Sequence, residues 1–471
     1  MYSTLKETQE AIQNGASVHT IAQYFLNQID ENADLNAFLE VFKEEVLSQA
    51  QRVDANIANG TQGKLAGMVI GIKDNICYAN HKVSASSKIL EGFESLFSAT
   101  ALERLITEDA IIIGRLNCDE FAMGSSNENS AYGPVKNPIN RNLVPGGSSG
   151  GSAAAVSGGL CTAALGSDTG GSIRQPASFT GTYGAKPSYG RISRHGLIAY
   201  ASSFDQIGPI TNSLQDAALL TQIMAGGDEY DSTASHAPVG NYIPEISTKK
   251  LKIAVLKECI ENEGLDPVIS NAFSEVLEAL KNEGHEISMV SFPYMQYMVP
   301  TYYVLTTAEA SSNLSRFDGV HFGHRSSEAV GVEETYKKSR TEGFGKEVKR
   351  RIMAGTFVLS TGYYDAYYSK GQQVRRILRD KTNAIFETSD IILTPTTPGP
   401  AFELNAVKDP IAMYLQDIYT VHANLTGHPA ISIPLGKTTN ALPFGIQIMA
   451  KNLKEKEMFD AALIVEQAIK K

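Results

Sequence analysis

A serine hydroxyl becomes a nucleophile near neutral pH only when a neighbouring base takes its proton. Three stretches of this 471-residue sequence offer serines and one candidate base. The first, Pro145-Gly146-Gly147-Ser148-Ser149-Gly150-Gly151-Ser152, runs into Ala153-Ala154-Ala155-Val156. Its glycines let the backbone approach a ligand closely, and the alanines predict a helix whose N-terminal amides would point at the serines. The second is Gly166-Ser167-Asp168-Thr169-Gly170-Gly171-Ser172-Ile173-Arg174-Gln175-Pro176-Ala177, which follows an apolar run over residues 160–165. Thr169, Gly170, Gly171 and Ser172 could turn consecutive N–H groups into one hollow, as an oxyanion hole requires. Asp168 could order that turn by accepting backbone hydrogen bonds. The third is Gly71-Ile72-Lys73-Asp74-Asn75, with Lys73 ending an apolar run. Burial would drive Lys73 toward its neutral form, and a lysine whose pKa falls from about 10.4 to about 7–8 can serve as a base.

Each stretch alone has a plainer explanation. A Gly-Ser run is a flexible turn, and a lysine at a strand end extends its ammonium to water. Residues 146–150 match G-x-S-x-G, but that elbow needs a strand directly before it, whereas Asn137-Pro138-Ile139-Asn140-Arg141-Asn142 reads as loop. Neither glycine loop has the order of a Walker phosphate loop, and Gly436-Lys437-Thr438 lacks its upstream glycine because residue 431 is Ile. The nine histidines are scattered, and none lies in the three stretches to act as the base.

The elements that would position these residues alternate in type. Residues 4–58 read as helices, opened by a capping box at Thr4-Leu5-Lys6-Glu7. Residues 68–72 read as a buried strand, 101–110 as a helix and 111–113 as another strand. Residues 124–191 are rich in Gly, Ser, Asn and Pro and predict a functional loop assembly punctuated by small elements. A second alternation follows: strands at 251–256 and 286–292 around a helix at 267–282, and a long helical zone over 304–385. A buried strand at 391–393, a strand pair at 430–435 and 444–449, and a closing helix at 455–469 complete it. Strands alternating with helices define an α/β chain, and no linker or repeat interrupts it, so one domain over 1–471 is expected.

Composition narrows the functions. With 42% hydrophobic and 20% charged residues the chain is globular. Its net charge of −10, with no run of basic residues beyond Lys349-Arg350-Arg351, excludes a nucleic-acid grip by this chain alone. Four dispersed cysteines fit neither a disulfide scaffold nor structural zinc, so no metal site is expected. The first residues lack the pattern of a secretory signal, no apolar stretch has bilayer-spanning length, and a cytoplasmic location is expected.

In combination, Gly71-Ile72-Lys73-Asp74-Asn75, the Gly-Gly-Ser-Ser-Gly-Gly loop and the Gly-Ser-Asp-Thr-Gly-Gly-Ser-Ile-Arg stretch resemble the amidase signature family. The resemblance implies one large domain with a mixed central β-sheet covered by helices on both faces. N-terminal helices would span about 1–60 and the signature core about 65–215, with the remainder completing sheet and pocket. It also implies Ser172 as nucleophile, Ser148 as a bridging serine on a cis peptide, Lys73 as terminal base, and the amides of Thr169, Gly170, Gly171 and Ser172 as the oxyanion hole. Residues 117–126, 308–320 and 362–368 are similar to the glutaminase branch of the glutamyl-tRNA(Gln) amidotransferases. That likeness implies glutamine as substrate, the amidotransferase B and C subunits as partners in a heterotrimer, and Glu-tRNA(Gln) reached through the B subunit. No cofactor is implied on this chain, ATP and Mg belonging to the B subunit. Glutamine is a zwitterion, so its pocket needs a cation and an anion. The family positions fall on Arg351 for the carboxylate, Asp417 for the amine and Tyr302 at the wall, with Arg350 and Tyr303 as adjacent alternatives. A free-standing amidase of small or fatty amides would share the relay without needing the charged pair, and a non-catalytic scaffold would need neither.

Overall fold

The apolar runs of the sequence become strands of one eleven-stranded sheet in the computed structural model, which describes residues 2–470. In chain order these are β1 (Phe38–Val41), β2 (Val69–Lys73), β3 (Ile111–Leu116), β4 (Ala163–Asp168), β5 (Tyr183–Lys186), β6 (Gln206–Thr211), β7 (Lys252–Leu256), β8 (Glu286–Val290), β9 (Ile391–Pro395), β10 (Ala430–Lys437) and β11 (Pro443–Ala450). Their spatial order is β1-β3-β2-β4-β6-β5-β10-β11-β9-β7-β8. β2 runs parallel to β3 and β4, and β7 runs parallel to β8 and β9. The strands between these two groups pair antiparallel, from β4–β6 across to β11–β9. Two parallel α/β groups are thus joined through an antiparallel middle into a single α/β domain.

Burial explains the sequence pattern. Every residue of β2, β3, β4, β6, β9 and β11 is buried, and strands covered on both faces read as continuous apolar runs. Helices flank the sheet: Gly150–Ser157 packs on β4 and β2, Arg174–Thr180 on β5, β10 and β11, and Glu455–Ile469 on β10 and β11. The capping box forms in altered shape, since Thr4 Oγ1 accepts from the Glu7 amide while Glu7 reaches back to Ser3 N rather than to Thr4 N.

Several elements differ from the sequence expectation. Residues 4–58 are not all helical, because β1 interrupts them at Phe38–Val41. Asn36 adopts left-handed backbone at φ 55° and ends the preceding turn, and β1 then pairs antiparallel with β3, a partner far along the chain. The 124–191 stretch contains two helices and strands β4 and β5. The strand expected near 160–165 lies at Ala163–Asp168, so its last residue is the aspartate of the second loop. β6 has no local signal because it contains Pro209, and proline is normally excluded from central strands. The long helical zone divides into helices Met295–Asn313, Gly331–Gly343, Lys346–Val358 and Lys370–Ile385, the last preceded by a π-turn.

Candidate active site

β2 and β4 are adjacent and parallel, with Ile72 opposite Leu165, so their C-terminal ends deliver Lys73 and Asp168 to one place. The Gly-Ser loop reaches the same place just before helix Gly150–Ser157, and its Gly147–Ser148 peptide is cis. Ser149 N donates to the Ser172 carbonyl at 3.1 Å, which stitches the two glycine loops together. Lys73 Nζ donates to Ser148 Oγ at 2.7 Å, Ser149 Oγ at 2.9 Å and Ser167 Oγ at 3.0 Å. Lys73 and Ser148 are fully buried, while Ser172 retains 7% exposure. The Ser172 hydroxyl makes no hydrogen bond among the described residues, so it is the unengaged hydroxyl of the cluster.

Burial lowers the Lys73 pKa to about 8, against the opposing pull of Asp119, Asp168 and Asp205. The neighbouring Cys118 thiolate would also oppose it, but burial pushes that thiol up to about 12 and it carries no charge near neutrality. Cys118 therefore lies beside Lys73 without holding it charged. A buried lysine whose hydrogen-bond partners are three hydroxyls and the Ser167 carbonyl, with no carboxylate in contact among the described residues, can give up its proton near neutral pH, which is the property a general base needs.

The second loop is braced from beneath. Asp168 Oδ1 accepts from Gly171 N at 2.8 Å and Oδ2 from Ile173 N at 3.1 Å, and Arg174 forks onto both oxygens at 2.9 and 3.0 Å. Burial alone would raise the Asp168 pKa, yet the Arg174 guanidinium overrides it and holds the carboxyl at about 2. The remaining Arg174 donors reach the Thr420 carbonyl, Gln447 and Asn424. Gly171 has φ +136°, and a Cβ there would stand 2.1 Å from Thr420 Oγ1, so this turn admits only glycine. Because the Gly171 amide already serves Asp168, it differs from the other three expected oxyanion donors in having a prior partner.

The pocket residues approach from the far part of the chain. Helix Met295–Asn313 carries Tyr302 and packs on helix Lys346–Val358, which carries Arg351. Tyr302 lies on the second loop, where a Cβ at Gly170 would meet its hydroxyl at 2.6 Å. Tyr303 instead stacks on Tyr414 and faces the Arg351 guanidinium at 5.2 Å. Arg351 is 4% exposed, whereas the Arg350 side chain is 41% exposed. The adjacent residues are placed differently: Arg351 turns inward while Arg350 faces solvent, and Tyr302 touches the loop while Tyr303 faces Arg351. Arg351 donates to Glu347 and to the Tyr200 hydroxyl, each at 2.9 Å, and lies over the rings of Tyr200, Tyr303 and Tyr414. Asp417 accepts from Ser125 Oγ at 2.6 Å. Burial raises the Asp417 pKa to about 7, with Ser125 and Arg351 pulling it back. A cleft of ≈ 500 Å³ opens over Arg351, Glu347, Tyr414 and Ser126.

The charged pair expected from sequence does not close on itself, since the ion partner of Arg351 is Glu347 at 2.9 Å. Glu347 has a sequence signal of its own, lying four residues before Arg351 on one helix. Arg174 stands inside the second loop, where its pairing with Asp168 gives no local sign. Tyr200, Ser125, Thr420 and Asn424 have no local signal either, because only the fold brings them to the site. Among the described residues no group of His, Cys, Asp or Glu could hold a metal ion, and no helix is long and apolar enough to cross a membrane.

A buried lysine on serine hydroxyls thus lies beneath a glycine turn braced by an Asp–Arg pair, and comparison with known proteins assigns the class of enzyme. The family model described as Amidase matches residues 20–459, and the chain belongs to that family, the amidase signature enzymes. More particularly, it is 49% identical to the A subunit of the glutamyl-tRNA(Gln) amidotransferase of Koribacter versatilis, over 99% of this chain and 98% of that protein. It is 48% identical to the corresponding subunit of Chlorobium phaeobacteroides, over 99% of both. Among solved structures, the A subunit of the glutamyl-tRNA(Gln) amidotransferase from Thermotoga maritima matches with a TM-score of 0.80 and 40% identity, over 97% of this chain and 92% of that one. The family and the mixed sheet flanked by helices, both expected from sequence, are therefore established.

Proposed function

We propose that this chain is the glutamine-hydrolysing subunit of a Glu-tRNA(Gln) amidotransferase, supplying ammonia that converts Glu-tRNA(Gln) to Gln-tRNA(Gln). The observation that carries the reading is that a buried guanidinium, Arg351, and a buried carboxyl, Asp417, both adjoin the surroundings of the second loop. Thr420 Oγ1 donates to the carbonyls of Gly170 and Asp417, and Tyr302, against Gly170, packs on Tyr303, which faces Arg351. A free amino acid presents both charges, and a simple amide presents neither. Near-complete alignment with the A subunits of such amidotransferases supports the same reading.

In this reading neutral Lys73 takes the proton of Ser148, Ser148 takes that of Ser172, and Ser172 Oγ attacks the side-chain carbonyl carbon of glutamine. The tetrahedral oxyanion is received by the backbone amides of Thr169, Gly170 and Ser172, with Gly171 contributing by sharing its bond to Asp168. Collapse breaks the C–N bond, and the relay running in reverse protonates the departing amine to ammonia. Water, deprotonated by the same relay, cleaves the resulting ester to glutamate and free Ser172. Arg351 holds the α-carboxylate, Asp417 the α-ammonium, and Tyr302 walls the pocket. The amidotransferase B and C subunits are the partners, the tRNA and the ATP with Mg are handled by the B subunit, and the cytoplasm is the location.

The test is ammonia release from glutamine compared with propionamide by the chain co-purified with its partners. Glutamine is expected to be preferred, and Arg351→Ala to raise KM for glutamine by about 100-fold through loss of charge-assisted bonds. Equal turnover of propionamide, unaffected by Arg351→Ala, would instead mark a free-standing amidase. Absence of Ser172 labelling by a phosphonate would mark a scaffold.

A further inference from the structure

One fully buried amide touches both halves of the site without a role in the relay. Gln175, on helix Arg174–Thr180, has no exposure. Its Oε1 accepts from Gly147 N at 2.9 Å, and its Nε2 donates to the Ser125 carbonyl at 2.7 Å. Gly147 N begins the residue joined by the cis peptide to Ser148. On the other side of that peptide, the Ser148 carbonyl accepts from Asp119 N at 3.2 Å. The relay serine is thus clamped between a side-chain acceptor before it and a backbone donor after it. The loop is shaped around this contact, since Gly146 has φ +85° and a Cβ there would stand 2.5 Å from Gln175 Oε1. At its other end Gln175 fixes the backbone of Ser125, whose hydroxyl donates to Asp417 at 2.6 Å.

We propose that Gln175 is a positioning residue that couples the Asp417 side of the pocket to the relay serine Ser148. What Asp417 recognises rests on the glutaminase reading; the clamp on Ser148 does not. Only a primary amide of this length meets both demands. Glutamate keeps an acceptor for Gly147 N but sets an oxygen against the Ser125 carbonyl. Methionine keeps the volume and loses both bonds, and asparagine cannot span the two.

The experiment uses the full-length chain with its co-purified partners and two readouts: the rate at which a serine-directed phosphonate inactivates Ser172, and kcat and KM for glutamine per phosphonate-labelled site. Gln175→Met is expected to slow inactivation and to lower kcat about 10–100-fold, as a misplaced relay group does, and to raise KM several-fold. Ser125→Ala is expected to raise KM alone. In the double variant the rise in KM should be no greater than in the larger single variant, because both act through one chain of contacts. Inactivation rate, kcat per labelled site and KM all unchanged in Gln175→Met, with only the melting temperature lowered, would overturn the proposal. If Gln175→Met does not fold, Gln175→Glu decides: near-normal inactivation with raised KM supports coupling, and unchanged KM overturns it. Failure of the glutaminase reading is visible separately, as a wild-type chain that reacts with phosphonate but does not hydrolyse glutamine, and the inactivation rate of Gln175→Met then decides the clamp alone.

Discussion

The proposed relay turns on the protonation state of one residue. Lys73 is lowered to about 8 because its ammonium is buried among hydroxyls, and its neutral form, the one able to accept a proton, predominates above that value. The kcat of ammonia release at saturating glutamine is therefore expected to rise with pH through about 8 and then level off, measured by a pH–rate profile. Lys73→Arg keeps the charge but cannot lose its proton; it is expected to reduce kcat by about 100- to 10,000-fold at every pH, without the rising limb. The candidate residues themselves were legible in the sequence, because Gly-Ser loops and a lysine at the end of an apolar run are local features. The shift that makes the lysine useful was not. It comes from burial among Ser148, Ser149 and Ser167, which reach Nζ from two other segments of the chain.

Among the elements, the β4 end and helix Arg174–Thr180 form a unit held by the Asp168–Arg174 pair. Both side chains are fully buried. Removing one partner of such a pair typically costs about 3–5 kcal/mol, since the other is left as an unpaired buried charge. Arg174→Leu should reverse the direction of the Asp168 shift as well. In the native protein Asp168 sits below its usual value, so its contribution to stability is present above pH 3.8 and lost as pH falls through about 2. In the variant, burial acts on the carboxyl against only Lys186, Asn424 and the loop amides, so its pKa is expected to rise above the unfolded value and stability to fall as pH rises. Urea unfolding is expected to find Arg174→Leu more destabilised at pH 8 than at pH 5. An equal loss at both values would mean that Lys186 and the remaining donors hold Asp168 ionised without Arg174. The strand before this loop was readable from its apolar run, but its last residues were not, because Gly166-Ser167-Asp168 becomes strand only by pairing with β6.

For the whole molecule, the continuity of the sheet sets how the distant parts of the site are held. β11 lies between β10 and β9, and Ile446 at its centre is fully buried. Ile446→Ala is expected to cost about 2–5 kcal/mol, read by denaturant unfolding, while phosphonate labelling per folded molecule stays normal because the relay lies across the sheet at β2 and β4. The sequence by itself determined the α/β class and the three loops that carry Lys73, Ser148 and Ser172. Those features follow from residue type and short-range periodicity, which are carried along the chain. β1, β5 and β6, the strand order and the company of Arg351 were decided only by the tertiary structure. β1 needs β3 as a partner, β6 tolerates Pro209 only within its neighbours' ladder, and Arg351 is set inward by Glu347, Tyr200 and Tyr414. An edge pairing, or a cation caged by rings from three segments, is a contact between distant residues, and no local pattern encodes it.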